Sequence, residues 1–122
     1  MTTAHTEPIL DEAALSLLRE LRVEGEPDIF AELISAYEQE APALIAAIRG
    51  AVADAHPEEM RAAAHTLKGA SRNLGATRLG NLCAEIETTG KAGSVDVDPT
   101  LLRDIEHEYL LVRRALEKAL RE

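Results

Sequence analysis

Five segments of the sequence repeat their apolar residues every three or four positions, which is the spacing of one face of an α-helix. Hydrophobic residues make up 46% of the chain but aromatic residues only 2%, so aliphatic residues and alanine fill most apolar positions. β-Strands favour a larger share of β-branched and aromatic residues than this chain contains. We therefore predict an all-α protein.

The boundaries of these helices follow from proline, glycine and capping residues. Pro57 suits the first turn of the third helix, and Gly50 and Gly75 are expected to end the second and third. Pro42 interrupts the second segment, but the apolar spacing continues across it, so we predict one bent helix. The predicted spans are about Asp11–Arg22, Pro27–Arg49, Pro57–Leu74, Thr77–Thr89 and Pro99–Arg121.

Four long amphipathic helices with short connections predict an antiparallel, up-down four-helix bundle. The short first helix is expected to pack across one end, with Leu17 and Leu21 among its inward positions. Residues 1–8 are predicted to form a flexible tail, and residues 9–122 to form a single domain.

The charge and the cysteine content exclude several classes of protein. A net charge of −9 argues against nucleic acids and anionic membranes as partners. Cys83 is the single cysteine, so no intramolecular disulfide can form, and its place in an apolar stripe predicts a core position. The first 15 residues lack the basic and apolar regions that are typical of a signal peptide, and no apolar run approaches the roughly 18 residues that a membrane span needs. We expect a cytoplasmic protein.

One histidine stands apart from the other three. His5 falls in the predicted tail, His56 at a helix start, and His107 on a solvated face. The phase of the third helix turns His65 away from the core stripe, at 100° per residue. The residues predicted to share its face are Glu58, Arg61, Ala62, Lys68, Gly69 and Arg72.

Gly69 is unexpected in the middle of a helix, where glycine costs ~1 kcal/mol relative to alanine. Helical side chains lean toward the N-terminus, so a side chain at position 69 would cover His65. Glycine leaves the imidazole open to a bulky group, and Lys68 can neutralise part of the charge of a phosphoryl group on the ring.

The chain has no P-loop, no kinase-type glycine-rich loop and no HxxxH or CxxC metal motif. We therefore expect no metal or cofactor on this chain. We predict a phosphate carrier that works docked on a partner, rather than a self-sufficient enzyme.

Residues 62–87, AAAHTLKGASRNLGATRLGNLCAEIE, closely resemble the histidine phosphotransfer (HPt) domain family. A looser resemblance covers about residues 9–119. The resemblance implies a four-helix bundle that carries a phosphoryl group on His65 between receiver-domain aspartates in a multistep phosphorelay. The residues that match the family pattern are His65, Lys68, Gly69, Ser71, Gly75, Ala76, Leu79, Leu82, Cys83 and Glu87.

The resemblance also implies roles for the residues around His65. Lys68 would stabilise the phosphoryl group, Gly69 would permit access of the receiver, and Ser71 would pack or hydrogen-bond at the helix interface. We interpret Glu87 as a surface charge without a role. Gly75 belongs to the supporting motif, and the candidate docking residues are Arg61, Ala62, Arg72 and an apolar residue of the first helix, Ile9 or Leu10.

The expected partners are response-regulator receiver domains, which would hold Mg²⁺, and a hybrid histidine kinase. The chain itself is expected to be a monomer without ATP-dependent kinase activity. Two alternatives stay open from the sequence. One is a helical module that binds a receiver or kinase without being phosphorylated. The other is an excised dimerisation and phosphoacceptor region of a histidine kinase.

Overall fold

The computed structural model describes residues 8–122, so most of the predicted tail, including His5, lies outside the described residues. Within residues 8–122 every regular element is a helix, which confirms the all-α prediction. None of these helices is long and apolar enough to cross a membrane. The helices are α1 (Glu12–Arg19), α2 (Ile29–Ala53), α3 (Pro57–Asn73), α4 (Thr77–Lys91) and α5 (Pro99–Leu120).

The four long helices form the predicted bundle. Helix α3 packs against α2 and α4, and α5 packs against the same two helices, so each long helix has two neighbours. Short connections make consecutive helices antiparallel. The core between them is built mainly from aliphatic side chains, and its largest fully buried members include Phe30, Leu15, Ile34, Ile48, Met60, Leu67, Leu79, Ile86, Ile105 and Leu116.

Aspartate side chains begin three of the helices. Asp11, Asp28 and Asp98 each accept a hydrogen bond from a backbone N–H two or three residues later, at 2.8–3.1 Å. Such caps satisfy backbone donors that have no partner within the helix. Helix α2 therefore begins after Asp28, slightly later than predicted.

Three predicted helix ends are wrong. Helix α1 ends at Arg19 and not at Arg22, because the N–H groups of residues 21 and 22 donate to carbonyls three residues earlier in a turn. Helix α2 runs through Gly50 to Ala53, because the turn at residues 54–56 ends it and the Gly50 carbonyl still accepts from the Asp54 N–H at 2.9 Å. Helix α4 continues two residues beyond Thr89, to Lys91. The continuous α2 confirms that Pro42 does not divide it.

Gly75 ends α3 as predicted. Its φ is +83°, in the left-handed region that glycine adopts at low cost. The N–H groups of Gly75 and Ala76 donate to the carbonyls of Arg72 and Ser71 at 3.0 and 2.8 Å, which forms a Schellman cap. This cap fixes the sharp turn that returns the chain along α4.

Helix α1 crosses the end of the bundle, as expected, but two of the residues predicted to point inward, Leu17 and Leu21, point outward. The Asp11 N–H donates to the Gly75 carbonyl at 2.8 Å, which joins α1 to the turn between α3 and α4. Leu15 is buried, whereas Leu17 and Leu21 are 66% and 45% exposed. So short a helix covers only one narrow strip of the bundle end, and too few apolar positions were available to fix its phase.

Candidate functional site

His65 lies on the exposed face of α3, as its helical phase predicts. Its side chain is 62% exposed, whereas Ala64 and Leu67 on either side point into the core. The imidazole is therefore presented to solvent from a rigid, packed helix rather than from a loop.

A buried carboxylate on α4 holds the histidine ring. Glu87 Oε2 lies 2.9 Å from His65 Nδ1, and the Glu87 side chain is only 5% exposed. The interpretation of Glu87 as a surface charge without a role is therefore wrong. Its side chain passes between the two helices and ends beneath the imidazole.

Two lysines also contact this carboxylate. Lys68 Nζ lies 2.5 Å from Glu87 Oε1, and Lys91 Nζ lies 3.6 Å from Oε2. Lys68 is one turn after His65 and is only 21% exposed, whereas Lys91 is 63% exposed. Glu87 thus joins the histidine and the lysine that the sequence analysis had singled out.

The hydrogen bond from Lys68, with a smaller contribution from His65, lowers the pKa of Glu87 to about 2 against its burial. Glu87 is therefore ionised at neutral pH and can only accept hydrogen bonds. The proton between it and His65 must consequently reside on Nδ1. In the neutral ring this leaves the lone pair on Nε2, which makes no hydrogen bond to any residue in the described part of the chain.

Gly69 leaves open space beside the ring. A Cβ atom built at this position would meet no heavy atom within 4 Å, apart from the neighbouring helix backbone. Packing within the chain therefore does not require glycine here. The space over position 69 is open to a group that approaches the helix from outside.

Ser71 supports the helix from the core side. Its hydroxyl and that of Tyr37 on α2 are 2.9 Å apart, within a buried hydrogen bond. Burial raises the pKa of Tyr37 well above its ordinary range, so the phenol stays protonated. Cys83 is buried as predicted, and burial raises the pKa of its thiol to about 12. A thiol so protonated is a poor nucleophile.

The three candidate docking residues on α3 are presented differently. Ala62 is exposed one turn before His65. Arg61 Nε donates to Glu58 at 2.8 Å within the same helix. Arg72 reaches across to α4, where its Nη2 donates to the Asn81 side-chain carbonyl at 3.0 Å.

An apolar groove of about 460 Å³ lies between α1, α2 and α3 and reaches Ala70, the residue after Gly69. Leu33 beside it is 40% exposed. Leu10 is buried and cannot serve as the docking residue proposed from the sequence, while Ile9 is half-buried. The groove is lined by Leu18, Leu33, Ala36, Tyr37, Glu40, Ala70, Asn73 and Leu74.

Residues 8–122 contain no group of three or more histidine, cysteine, aspartate or glutamate side chains arranged to hold a metal ion. The site built around His65 thus consists of one nucleophilic ring, one buried carboxylate and two ammonium groups. It can hold and orient an acceptor nitrogen.

Two solved structures share the fold of this chain, and both are histidine-containing phosphotransfer proteins. The crystal structure of histidine-containing phosphotransfer protein B (HptB) from Pseudomonas aeruginosa PAO1 has a TM-score of 0.76 and 25% sequence identity, and covers 96% of this chain and 99% of its own. Histidine-containing phosphotransfer protein MtHPt2 from Medicago truncatula shares the fold, with a TM-score of 0.77, 23% identity, and coverage of 93% and 78% respectively.

No curated protein sequence matches the chain significantly. A family profile described as Hpt domain, however, matches residues 32–121, which include α3, α4 and the whole His65 site. The matched region extends over far more than half of the chain. We conclude that the chain belongs to the Hpt domain family.

Proposed function

We propose that the protein accepts a phosphoryl group on Nε2 of His65 from the phosphorylated aspartate of one receiver domain and passes it to another receiver. The observation that carries this proposal is the exposed imidazole whose Nδ1 is held by the buried Glu87 carboxylate at 2.9 Å. Membership of the Hpt domain family supports it.

In the accepting step, the Nε2 lone pair attacks the phosphorus of the aspartyl phosphate. A nitrogen–phosphorus bond forms, the bond from phosphorus to the aspartate oxygen breaks, and the aspartate leaves as a carboxylate. The ring keeps its Nδ1 proton and gains positive charge, which the ionised Glu87 stabilises at hydrogen-bond distance. The reverse sequence of bonds delivers the group to the next aspartate.

Glu87 acts here as a positioning residue. Its bond to Nδ1 fixes both the tautomer and the orientation of the ring, so that the nucleophilic lone pair points to solvent. Because Glu87 also holds Lys68, the ammonium group stays close to the ring without covering it. Lys68 then stabilises the negative charge of the transferred group.

The receiver would supply what this chain lacks. Phosphoryl transfer depends on positioning and on neutralising charge at the phosphoryl oxygens. We expect Mg²⁺ and the acidic residues that bind it to come with the receiver, and a hybrid histidine kinase to provide the phosphoryl group upstream. This chain is expected to work as a monomer without ATP-dependent kinase activity.

Docking would occur over Gly69 and the apolar groove beside it. A receiver seated there could approach His65 because no side chain stands at position 69. Its contact with Ala62, Ala70 and Leu33 would exclude water from the transferring group. Such transient signalling contacts are usually small.

The test uses receiver domains carrying ³²P-labelled aspartyl phosphate and measures acid-labile, base-stable label on this protein. We expect the wild type and His107→Gln, in which an exposed histidine on α5 is replaced, to accept label equally. His65→Gln should accept none. Equal labelling of His65→Gln would refute the proposal.

A further variant, His65→Ala, tests the alternative of an interaction module that binds without being phosphorylated. Under that alternative, His65→Ala would keep the signalling output in cells, because only binding would be needed. Under our proposal that output is lost, although the folded variant still binds the receiver.

A further inference from the structure

Arg72 shares the exposed face of α3 with His65 but is too distant to take part in the chemistry. The two residues are seven positions apart, almost two full helical turns, which places their backbones about 10 Å apart along the axis. The Arg72 guanidinium also extends away from the ring toward α4, where it meets Asn81.

The arm of Arg72 lies flat against Gly80. A Cβ atom at position 80 would come within 2.7 Å of Arg72 Cγ and 2.9 Å of its Nε, so a larger residue would displace the arm. Glycine at position 80 and the amide of Asn81 together keep the guanidinium in one place on the surface.

The charge of Arg72 is not neutralised in the way that the neighbouring charges are. Arg61 is paired with Glu58, and Lys68 with Glu87. Arg72 meets a neutral amide, and within residues 8–122 no carboxylate lies within ion-pair distance of it. In a chain of net charge −9, this leaves a positive charge held in place beside the site.

We propose that Arg72 is a specificity-determining docking residue that binds a carboxylate on the surface of the receiver partner. The inference rests on the proposed phosphoryl exchange and names the feature of the receiver that this face selects. A guanidinium matches a carboxylate with two parallel hydrogen bonds, and its restrained arm loses little further freedom on binding. Opposite charges at an interface speed encounter and favour one partner over others.

The effect belongs to binding, not to the transfer step. Arg72 does not reach the reacting nitrogen, so its loss should raise the receiver concentration needed for half-maximal transfer and leave the maximal rate unchanged. Salt should weaken the contribution, because exposed charges are screened within about 10 Å at 0.1 M ionic strength.

The experiment first selects, from a panel of phosphorylated receiver domains, those that discharge to the wild type within seconds. If no receiver does so, the proposed function fails. With a selected receiver, transfer rates are then measured against receiver concentration for the wild type, Arg72→Gln, Arg72→Glu and the control Arg114→Glu, which reverses an exposed charge on α5.

We expect Arg72→Glu to raise the half-saturating receiver concentration about tenfold at low salt and Arg72→Gln about threefold, with maximal rates within twofold of the wild type. At 0.5 M salt the differences should shrink to less than twofold, and Arg114→Glu should behave as the wild type throughout. If transfer by the wild type is rapid but Arg72→Glu leaves the half-saturating concentration unchanged, or lowers only the maximal rate, the docking role is wrong.

Discussion

Gly69 on α3 and Gly90 on α4 both lie within helices near the site, yet they have opposite surroundings. A Cβ at position 90 would lie 2.8 Å from Arg61 Cβ and 2.9 Å from the Pro57 carbonyl oxygen, so α3 and α4 could not pack as they do. A Cβ at position 69 would meet nothing within 4 Å. The packing of the fold requires glycine at position 90 and does not require it at position 69.

The two glycines therefore differ in whether the packing of the helices depends on them. Glycine in a helix carries the same intrinsic cost of about 1 kcal/mol wherever it stands. At Gly90 the close approach of two helices offsets that cost. At Gly69 no contact inside the described structure offsets it, and the proposed approach of a receiver would give the glycine a reason.

The largest effect is expected when a side chain is added at the open position, Gly69. Gly69→Glu adds a side chain that leans toward His65, and should slow transfer from a receiver at least about 100-fold, since small displacements of reacting groups have effects of that size. The variant should unfold at a urea concentration no lower than that of the wild type, because glutamate is a better helix former than glycine. Gly50→Glu, at an equally open helical position on α2, should transfer normally. Normal transfer by folded Gly69→Glu would show that access is not the reason for the glycine.

The next effect concerns packing. Gly90→Ala should lower the free energy of unfolding by roughly 2–3 kcal/mol, because the new methyl group forces α3 and α4 apart. Gly69→Ala, the same chemical change one helix away, should raise that free energy by about 1 kcal/mol. Urea denaturation of both variants measures the two changes in the free energy of unfolding. If the Gly90→Ala protein were as stable as the wild type, the packing of α3 and α4 would not require glycine at position 90.

Glu87 lies three residues before Gly90. A variant at this position tests whether its buried charge stabilises the fold as well as contacting His65. Its folded pKa of about 2 lies below the ordinary value of 4.5. Its charge therefore stabilises the protein above pH 4.5, and this contribution is lost as the pH falls toward 2. Between pH 7 and pH 3 the wild type should lose about 2 kcal/mol through this group, a loss that Glu87→Gln should not show.

Urea denaturation of the wild type and Glu87→Gln at pH 7, 5 and 3 gives the comparison directly. The difference between the two proteins should be greatest at pH 7 and smallest at pH 3. A difference that does not change with pH would show that Glu87 has an ordinary pKa. Glu85→Gln, an exposed position on the same helix, is the matched control.

The smallest effect is expected at a position where glycine would fit the backbone better than the residue that is present. Ala55 ends α2 with a φ of +57° and forms the same type of cap as Gly75, with the His56 N–H donating to the Ala51 carbonyl at 2.8 Å. Ala55→Gly should therefore raise the free energy of unfolding by about 0.5–1 kcal/mol. Ala53→Gly, inside the helix, should lower it by about 1 kcal/mol. Thermal unfolding of the two variants in parallel would reveal the opposite shifts.

Much of this architecture could be predicted from local sequence. Apolar spacing over long segments located the four bundle helices, and the phase of α3 placed His65 outside. Helix ends were harder, because Gly50 stands in a helix whose end is set by the turn after it. Leu17 and Leu21 were wrongly predicted to be buried for a related reason, since the first helix is too short for its apolar pattern to identify every inward position.

The role of Glu87 was missed because the contact joins two helices. Nothing local to α3 indicates which residue of α4 will lie beneath the histidine. A signal was nevertheless present in α4, where the inward positions of Leu79, Cys83 and Ile86 place Glu87 on the same buried stripe. A charged residue in such a stripe needs a partner, and His65 and Lys68 were the polar groups available on the neighbouring helix.

The backbone hydrogen bond between Asp11 and Gly75 has a consequence for how such a protein can diversify. It anchors α1 through main-chain atoms, so the position of the helix does not depend on the identity of its outward side chains. The exposed Leu17 and Leu21 can therefore be exchanged without moving the scaffold that holds His65. The position of the first helix and the side chains that it exposes can therefore change independently, which allows new recognition surfaces to arise while the His65 site is unaltered.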